Sequence, residues 1–194
     1  MVGEPGACGA LLGLMGRRRS VREFEARAVP AAVVGRLLSA FDSAPQAGGD
    51  RGRRCLMLTD PGLIAGLAAS GREAYRDWLS SIDSPAVRDG LADYGSNFFW
   101  FDAAPVLALS VIRRPPAFLM EAAGPEAELV WGGHLSAAMA IEAALLAAVA
   151  LGLGGCCLGG PLAVGPEMGR FLGLGRRERL SLMAVFGYPK IVPG

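Results

Sequence analysis

Residues 131–160 read WGGHLSAAMAIEAALLAAVALGLGGCCLGG, and this stretch decides the fold. Its first part predicts one long helix over about 131–151. That helix is apolar on every side, with Glu142 the only charge between Leu135 and Leu151. Such a helix has no polar face to show to water and should be buried on most faces. One small domain has little room for it at the centre, so a dimer interface is expected to supply cover. Leu151-Gly152-Leu153-Gly154-Gly155 follows, where glycine offers a helix C-cap. Cys156-Cys157-Leu158-Gly159-Gly160-Pro161 then reads as a loop whose backbone N–H groups can face a planar ligand. It is not a P-loop, because no Gly-Lys-Ser/Thr follows. Nor is it a dinucleotide fingerprint, because here the glycines close a helix instead of opening one.

Around this centre the elements alternate in type. A short helix over 9–16 ends at Gly16. Val29-Pro30 opens another, with Val33, Val34, Leu37, Leu38 and Phe41 at helical spacing. A Gly- and Pro-containing loop covers Ser43 to Gly52. Cys55 to Leu58 and Pro105 to Ile112 read as buried strands, and Leu180 to Phe186 as the last strand. Asp60-Pro61 marks a helix start. Residues 70–95 read as helical pieces, 113–128 as an irregular excursion, and Pro166 to Leu172 as a short helix. Strands and helices mix without regular βαβ spacing, which favours α+β in a single domain spanning 1–194.

The chain has 194 residues, 52% of them hydrophobic and 19% charged, with a net charge of +1. This composition excludes a disordered chain and argues against a general nucleic-acid binder. Four cysteines, two adjacent, are too sparse for a disulfide scaffold. With His134 the only histidine, a metal site is not expected. Ala7 to Met15 is apolar but short, and its charges follow it where a secretory signal wants them first. Leu135 to Leu151 carries a carboxylate mid-span, so no membrane crossing is expected. A cytoplasmic protein with reduced thiols is the resulting expectation.

Three stretches could carry chemistry. Arg17-Arg18-Arg19-Ser20-Val21-Arg22 packs four arginines and a hydroxyl into six residues. Arginine forks and a hydroxyl match a phosphate, although such a run also serves as a solvated basic face. If extended, Arg18, Ser20 and Arg22 share one side. Ala44-Pro45-Gln46-Ala47-Gly48-Gly49 allows close backbone approach to a ligand, or makes a flexible turn. The third is the glycine loop at 152–160, with Cys156 and Cys157 expected to be packed and reduced. His134 reads as a capping or hydrogen-bonded residue. Glu142 needs a cationic partner. Asn97-Phe98-Phe99-Trp100-Phe101 reads as a core anchor or a pocket wall.

Taken in order, these motifs resemble the flavin-dependent nitroreductase superfamily over roughly residues 17–190. The strongest parts are Arg18 to Phe24 and Ala138 to Gly160. The resemblance implies a central, mostly antiparallel sheet flanked by helices, and an intertwined homodimer with one FMN in each of two interface clefts. It implies that Arg18, Arg19, Ser20 and Arg22 meet the FMN, with Arg18 and Ser20 toward the phosphate and Arg22 toward the pyrimidine edge. It places Pro45, Gln46, Ala47 and Gly48 along the cofactor. It sets Leu158, Gly159 and Gly160 against the isoalloxazine, at backbone that only glycine adopts easily or where a Cβ would meet the ring. Lys190 is the basic residue available after Gly187-Tyr188-Pro189. The implied activity is NAD(P)H-driven ping-pong reduction of a nitro compound, quinone or similar small acceptor, with no general acid or base named. Many members carry Asn followed by Gln-Pro-Trp where this chain has Gly49, Arg51, Gly52 and Arg53. That departure keeps two alternatives open: a flavin dehydrogenase acting on a peptide or cyclic dipeptide, and a non-catalytic member that binds a ligand or partner.

Overall fold

A computed structural model describes residues 5–47, 52–127 and 131–190. In chain order it contains α1 (Pro5–Arg17), α2 (Ala31–Ser43), β1 (Arg53–Leu58), α3 (Pro61–Ser80), α4 (Pro85–Tyr94), β2 (Val106–Arg113), α5 (Ala117–Ala123), α6 (Gly133–Ala150), β3 (Gly154–Leu158), α7 (Gly165–Phe171) and β4 (Glu178–Gly187). Single 3-10 turns precede β2, follow α5 and precede α7. The strands form one sheet in the order β1-β2-β4-β3, and each neighbouring pair is antiparallel.

Period-two alternation along the central strands builds two cores. On β2, Leu107 and Leu109 face one side while Val106 and Ala108 face the other. On β4, Met183 and Val185 oppose Ala184 and Phe186 in the same way. The first side is covered by α3, α7 and the aromatic turn, through Ile64, Leu67, Met168, Phe99 and Phe101. The second is covered by α2 and α6, through Leu37, Phe41, Ile141 and Leu145. Ala108 and Ala184 meet Ala140, Ala144 and Ala148 there, so the long helix can lie close to the sheet.

Local signals set several boundaries. The Asp60 carboxylate accepts from the Leu63 N–H at 2.7 Å and caps α3, with Pro61 in its first turn. Gly152 takes φ +73 after α6. The Leu153 N–H reaches Ala148 O at 2.8 Å and the Gly152 N–H reaches Val149 O at 3.2 Å, the Schellman pattern that closes a helix.

Two expectations need correction. The glycine stretch after α6 is largely a strand, since Gly154–Leu158 is β3 and pairs with β4. Its glycines make room for neighbours: a Cβ on Gly155 would lie 2.8 Å from Leu145 and one on Gly154 2.7 Å from Val21. The excursion after β2 contains a helix, α5. Within one chain α6 is buried along one side only, as expected of a helix whose remaining cover was assigned to a dimer interface. Ser136, Ala137, Ala140, Ile141, Ala144, Leu145 and Ala148 face the core, while Leu135 and Met139 are exposed. By length and composition α6 could cross a bilayer, but one side of it is packed as the core helix of this fold.

At the start of β4, Arg54 grips Glu178 with both arms of its fork, Nε to Oε1 at 2.8 Å and Nη2 to Oε2 at 3.0 Å. The Gly175 N–H donates to Oε2 as well, at 3.0 Å. Hydrogen bonding from Arg54 holds the Glu178 carboxyl below its ordinary range, helped by Gly175 and opposed by partial burial. A depressed carboxyl contributes stability above its unfolded value, about 4.3, and loses that contribution as pH falls through the folded value. Glu178→Gln is therefore expected to lower Tm by about 2–4 °C at pH 7. The gap from the parent should close as the melt is repeated toward pH 3.

Candidate functional site

The arginine-rich segment after α1 is extended and lies along the free edge of β3. Ser20 forms a parallel bridge with Gly155, and the Val21 N–H donates to Gly155 O at 3.0 Å. Val21 turns toward Gly154, leaving Ser20 and Arg22 exposed on the alternate positions. The chain then bridges Phe24 to Pro189, and the Lys190 N–H donates to Glu23 O at 3.0 Å. The end of the described chain is thereby held beside the arginine segment.

Arg22 shares a shallow cleft with Cys157, Leu158, Gly159 and Gly160, faced by Phe98 and Trp100. Arg18 stands 3.7 Å from Glu142, the cationic partner that carboxylate was expected to need. Glu142 itself is on the exposed side of α6. Arg19 folds back and donates to Gly16 O at 2.8 Å and Arg18 O at 2.9 Å, capping the end of α1. Gly159 has φ −102 and ψ −35, a conformation open to any residue, which corrects the expectation of glycine-only backbone. A Cβ there would meet no atom within 4 Å. At Gly160 a Cβ would run into the Phe98 ring.

The two cysteines part company. Cys156 is buried in the core, whereas Cys157 is exposed, so only the first is packed as expected. Partial desolvation, then Cys156 and Glu142, raise the Cys157 pKa, so the group is a thiol at neutral pH and a poor nucleophile. Both are free thiols. Of the aromatic run, Phe99 and Phe101 are core while Phe98 and Trp100 line the cleft.

Pro45, Gln46 and Ala47 lie at the other end of α6. The Ala47 N–H donates to Ser136 Oγ at 2.9 Å, and that hydroxyl donates to Gly132 O at 2.9 Å. Gly48 and Gly49 lie outside the described residues. Since α6 rises about 1.5 Å per residue, the 45–47 loop and the Gly155 edge are roughly a helix length apart within one chain. The structure thus brings Arg22 together with Leu158, Gly159 and Gly160, and does not bring Pro45, Gln46 and Ala47 to them.

What holds that loop was not singled out from the sequence. Arg53 is only 7% exposed. Its Nη1 donates to Ser136 O at 2.5 Å and Pro45 O at 3.1 Å. Its Nη2 donates to Phe41 O at 3.0 Å and Ala44 O at 3.2 Å. The guanidinium also lies over the Phe41 ring, 4.6 Å from its centroid. Burial pulls its pKa down, with Asp42 opposing. One cation therefore ties together the carbonyl end of α2, the 45–47 loop and the start of α6. A usable signal existed: Arg53 shares strand parity with Cys55 and Met57, which face the α2/α6 layer.

A family model, described as the nitroreductase family, matches residues 15–188. The chain belongs to the nitroreductase family. No curated protein sequence matches it significantly. Among solved structures, a BluB-like flavoprotein from Clostridium difficile 630 is similar at TM-score 0.78 and 22% identity, over 95% of this chain and 92% of the other. A nitroreductase with bound FMN from Bacteroides fragilis NCTC 9343 gives 0.71 and 19%, over 95% and 92%. An oxidized iodotyrosine deiodinase bound to FMN and 3-iodo-L-tyrosine gives 0.67 and 20%, over 95% and 92%. At these identities the likeness is one of fold, and it accords with the nitroreductase-type α+β architecture expected from the motifs.

Arg53→Met leaves four backbone carbonyls without their donor and is expected to cost about 3 kcal/mol in denaturant unfolding. Ser136→Ala should cost about 1–2 kcal/mol. In both variants amide exchange at Ala47 should quicken. An unchanged Ala47 exchange rate in either would contradict the anchoring role.

Proposed function

We propose that this nitroreductase-family chain is an FMN-dependent oxidoreductase that takes reducing equivalents from NAD(P)H and delivers them in ping-pong fashion to a nitro compound, quinone or similar small acceptor. The observation that carries this reading is the cleft at the β3 edge. There a cationic fork, Arg22, shares the cleft with residues 158–160, of which Gly159 is exposed, while Arg18 and Ser20 stand further along the same extended segment. The donor set fits a flavin mononucleotide: arginine and hydroxyl groups for a phosphate, and at Gly159 open space on the side where a Cβ would stand.

In this reading Arg18 and Ser20 hold the phosphate, with Glu142 as the counter-ion that a bound phosphate displaces from Arg18. Arg22 supplies fixed positive charge beside the ring, where reduction adds negative charge, without reorganisation at the moment of reaction. Leu158, Gly159 and Gly160 present backbone to the ring face, and Phe98 backs the loop. Lys190, tied to Glu23, closes the phosphate end. Arg19 contributes by fixing the end of α1. Bound there, FMN would supply the hydride and electron chemistry itself. No side chain of the cleft is assigned a proton transfer.

Pro45, Gln46, Ala47 and Gly48 reach a flavin in this reading only across a two-fold interface, from the second chain. Leu135 and Met139 on α6, and Leu11, Leu12 and Met15 on α1, are large apolar side chains left exposed on the single chain. Such a patch wants cover, and a homodimer through α1 and α6 provides it. A cytoplasmic location accords with free thiols at all four cysteines.

The purified protein is expected to be yellow and to bind FMN. Arg18→Ala and Ser20→Ala should each weaken FMN roughly ten- to a hundredfold, the cost of a charge-assisted hydrogen bond. Gly159→Val should fold with parental stability, because no protein atom opposes its side chain, yet lose FMN. Cys157→Ser should leave binding and turnover unchanged. Colourless protein with no measurable FMN affinity would reject the reading. Full affinity in Gly159→Val would move the ring away from this loop.

Sedimentation at micromolar concentration should give a single species of twice the 20.1 kDa chain mass. A stable monomer would remove the second chain's contribution to the cleft.

A further inference from the structure

At the opposite end of β4 from Gly187, a second cavity of about 520 Å³ opens between the start of the strand, α7 and the 3-10 turn before it. None of its lining residues belongs to the β3-edge cleft. Its volume is in the range of small-molecule sites. Its walls are of two kinds: Leu162, Leu174 and Leu180 form apolar surface, while Arg114, Arg176 and Arg179 bring cationic forks. Arg170 also lines it but is committed to Glu167 at 2.8 Å. Glu178 is a lining carboxylate, and its oxygens are taken by Arg54 and the Gly175 N–H. Arg114 and Arg176 have no carboxylate partner among the described residues. Positive charge therefore exceeds negative charge around a partly apolar hollow.

The back of the hollow is built, not incidental. β2 pairs Ser110 with Leu182 and Val111 with Leu180, so Ser181 sits in a bulge with no cross-strand mate. Bulges of this kind re-aim a side chain. Ser181 is only 6% exposed, and its Oγ lies 2.7 Å from His134 Nδ1. His134 Nε2 lies 2.5 Å from Arg179 Nη2. A guanidinium only donates, so Nε2 accepts and Nδ1–H donates to Ser181 Oγ. The Ser181 hydroxyl keeps its own hydrogen to give, and it has no second partner among the described residues.

We propose that this cavity is a binding site for a small organic anion: a carboxylate or phosphate on a compact apolar body. Arg114, Arg176 and the Ser181 hydroxyl take the anionic head, while Leu162, Leu174 and Leu180 take the body. His134 and Arg179 hold Ser181 in place. The proposal stands on this cavity alone and does not depend on the flavin reading.

His134 is the chain's only histidine, so its ring signals in an NMR spectrum of the full chain form an unambiguous local reporter. Benzoate, phenyl phosphate, inorganic phosphate and benzyl alcohol serve as probes. At least one aromatic anion should shift the His134 signals saturably, roughly tenfold tighter than inorganic phosphate or benzyl alcohol. Benzoate against phenyl phosphate then distinguishes the head group. Arg114→Gln combined with Arg176→Gln should weaken that binding roughly tenfold or more. Both side chains are exposed, so this variant should fold, as its unchanged far-UV spectrum would verify. Ser181→Ala should weaken binding independently. Absence of a saturable shift with both aromatic anions overturns the proposal. So does equal affinity for inorganic phosphate, which is the behaviour of a merely basic surface. An unaffected double variant overturns it as well.

Discussion

A single buried cation, Arg53, sets how the helical layer sits on the sheet. The last carbonyls of a helix have no partners of their own, and α2 ends against the start of α6. Arg53 enters from β1 and donates to Phe41, Ala44, Pro45 and Ser136. The cost of burying a charge is offset because the fork is distributed over four oxygens and lies against an aromatic face. Ser136 completes the joint by taking the Ala47 N–H. The loop at 45–47 therefore has a defined path although it contains no regular structure. A loop fixed in this way has already lost the freedom that a ligand would otherwise have to remove on binding.

The second constraint is steric. Alanines of α6 meet Ala108 and Ala184 on the sheet, and Gly155 sits under Leu145. Small residues on both sides bring the helix axis near the strands and leave the edge of β3 clear. The segment from Arg18 to Arg22 docks on that edge through Gly155, with Val21 against Gly154. The cationic side chains are thus presented by backbone pairing and not by a flexible arm. Covering an open strand edge in this way also removes a site for unwanted pairing.

Charge is distributed at two ends of the sheet. One cluster, Arg18 and Arg22, accompanies the loop at 158–160. The other, Arg114, Arg176 and Arg179, surrounds the hollow behind Ser181. The overall charge of +1 hides this, since acidic residues are spread along the chain over helices, loops and the start of β4. Local field, not net charge, is what an anionic ligand meets.

Much of this was legible from the chain alone. The long apolar helix, its glycine stop, the Asp60-Pro61 start and the three apolar strands are written in local periodicity and capping chemistry, which act over a few residues. The order of the motifs was enough to suggest the nitroreductase resemblance, and with it the α+β sheet and the cofactor class. Other features depended on contacts between distant segments. The run from Gly154 to Leu158 looked like a loop because glycine is a poor strand former, and only the crowding by Val21 and Leu145 explains why glycines stand in a strand there. The exposure of Cys157 followed from that same strand parity. Arg53 looked like one charge in a basic run until three elements closed around it. The pairing of His134 with Ser181 joins positions 47 residues apart through a bulge that has no local signature. Local chemistry is encoded in neighbouring residues, whereas a buried hydrogen-bonding joint exists only once the chain has folded around it.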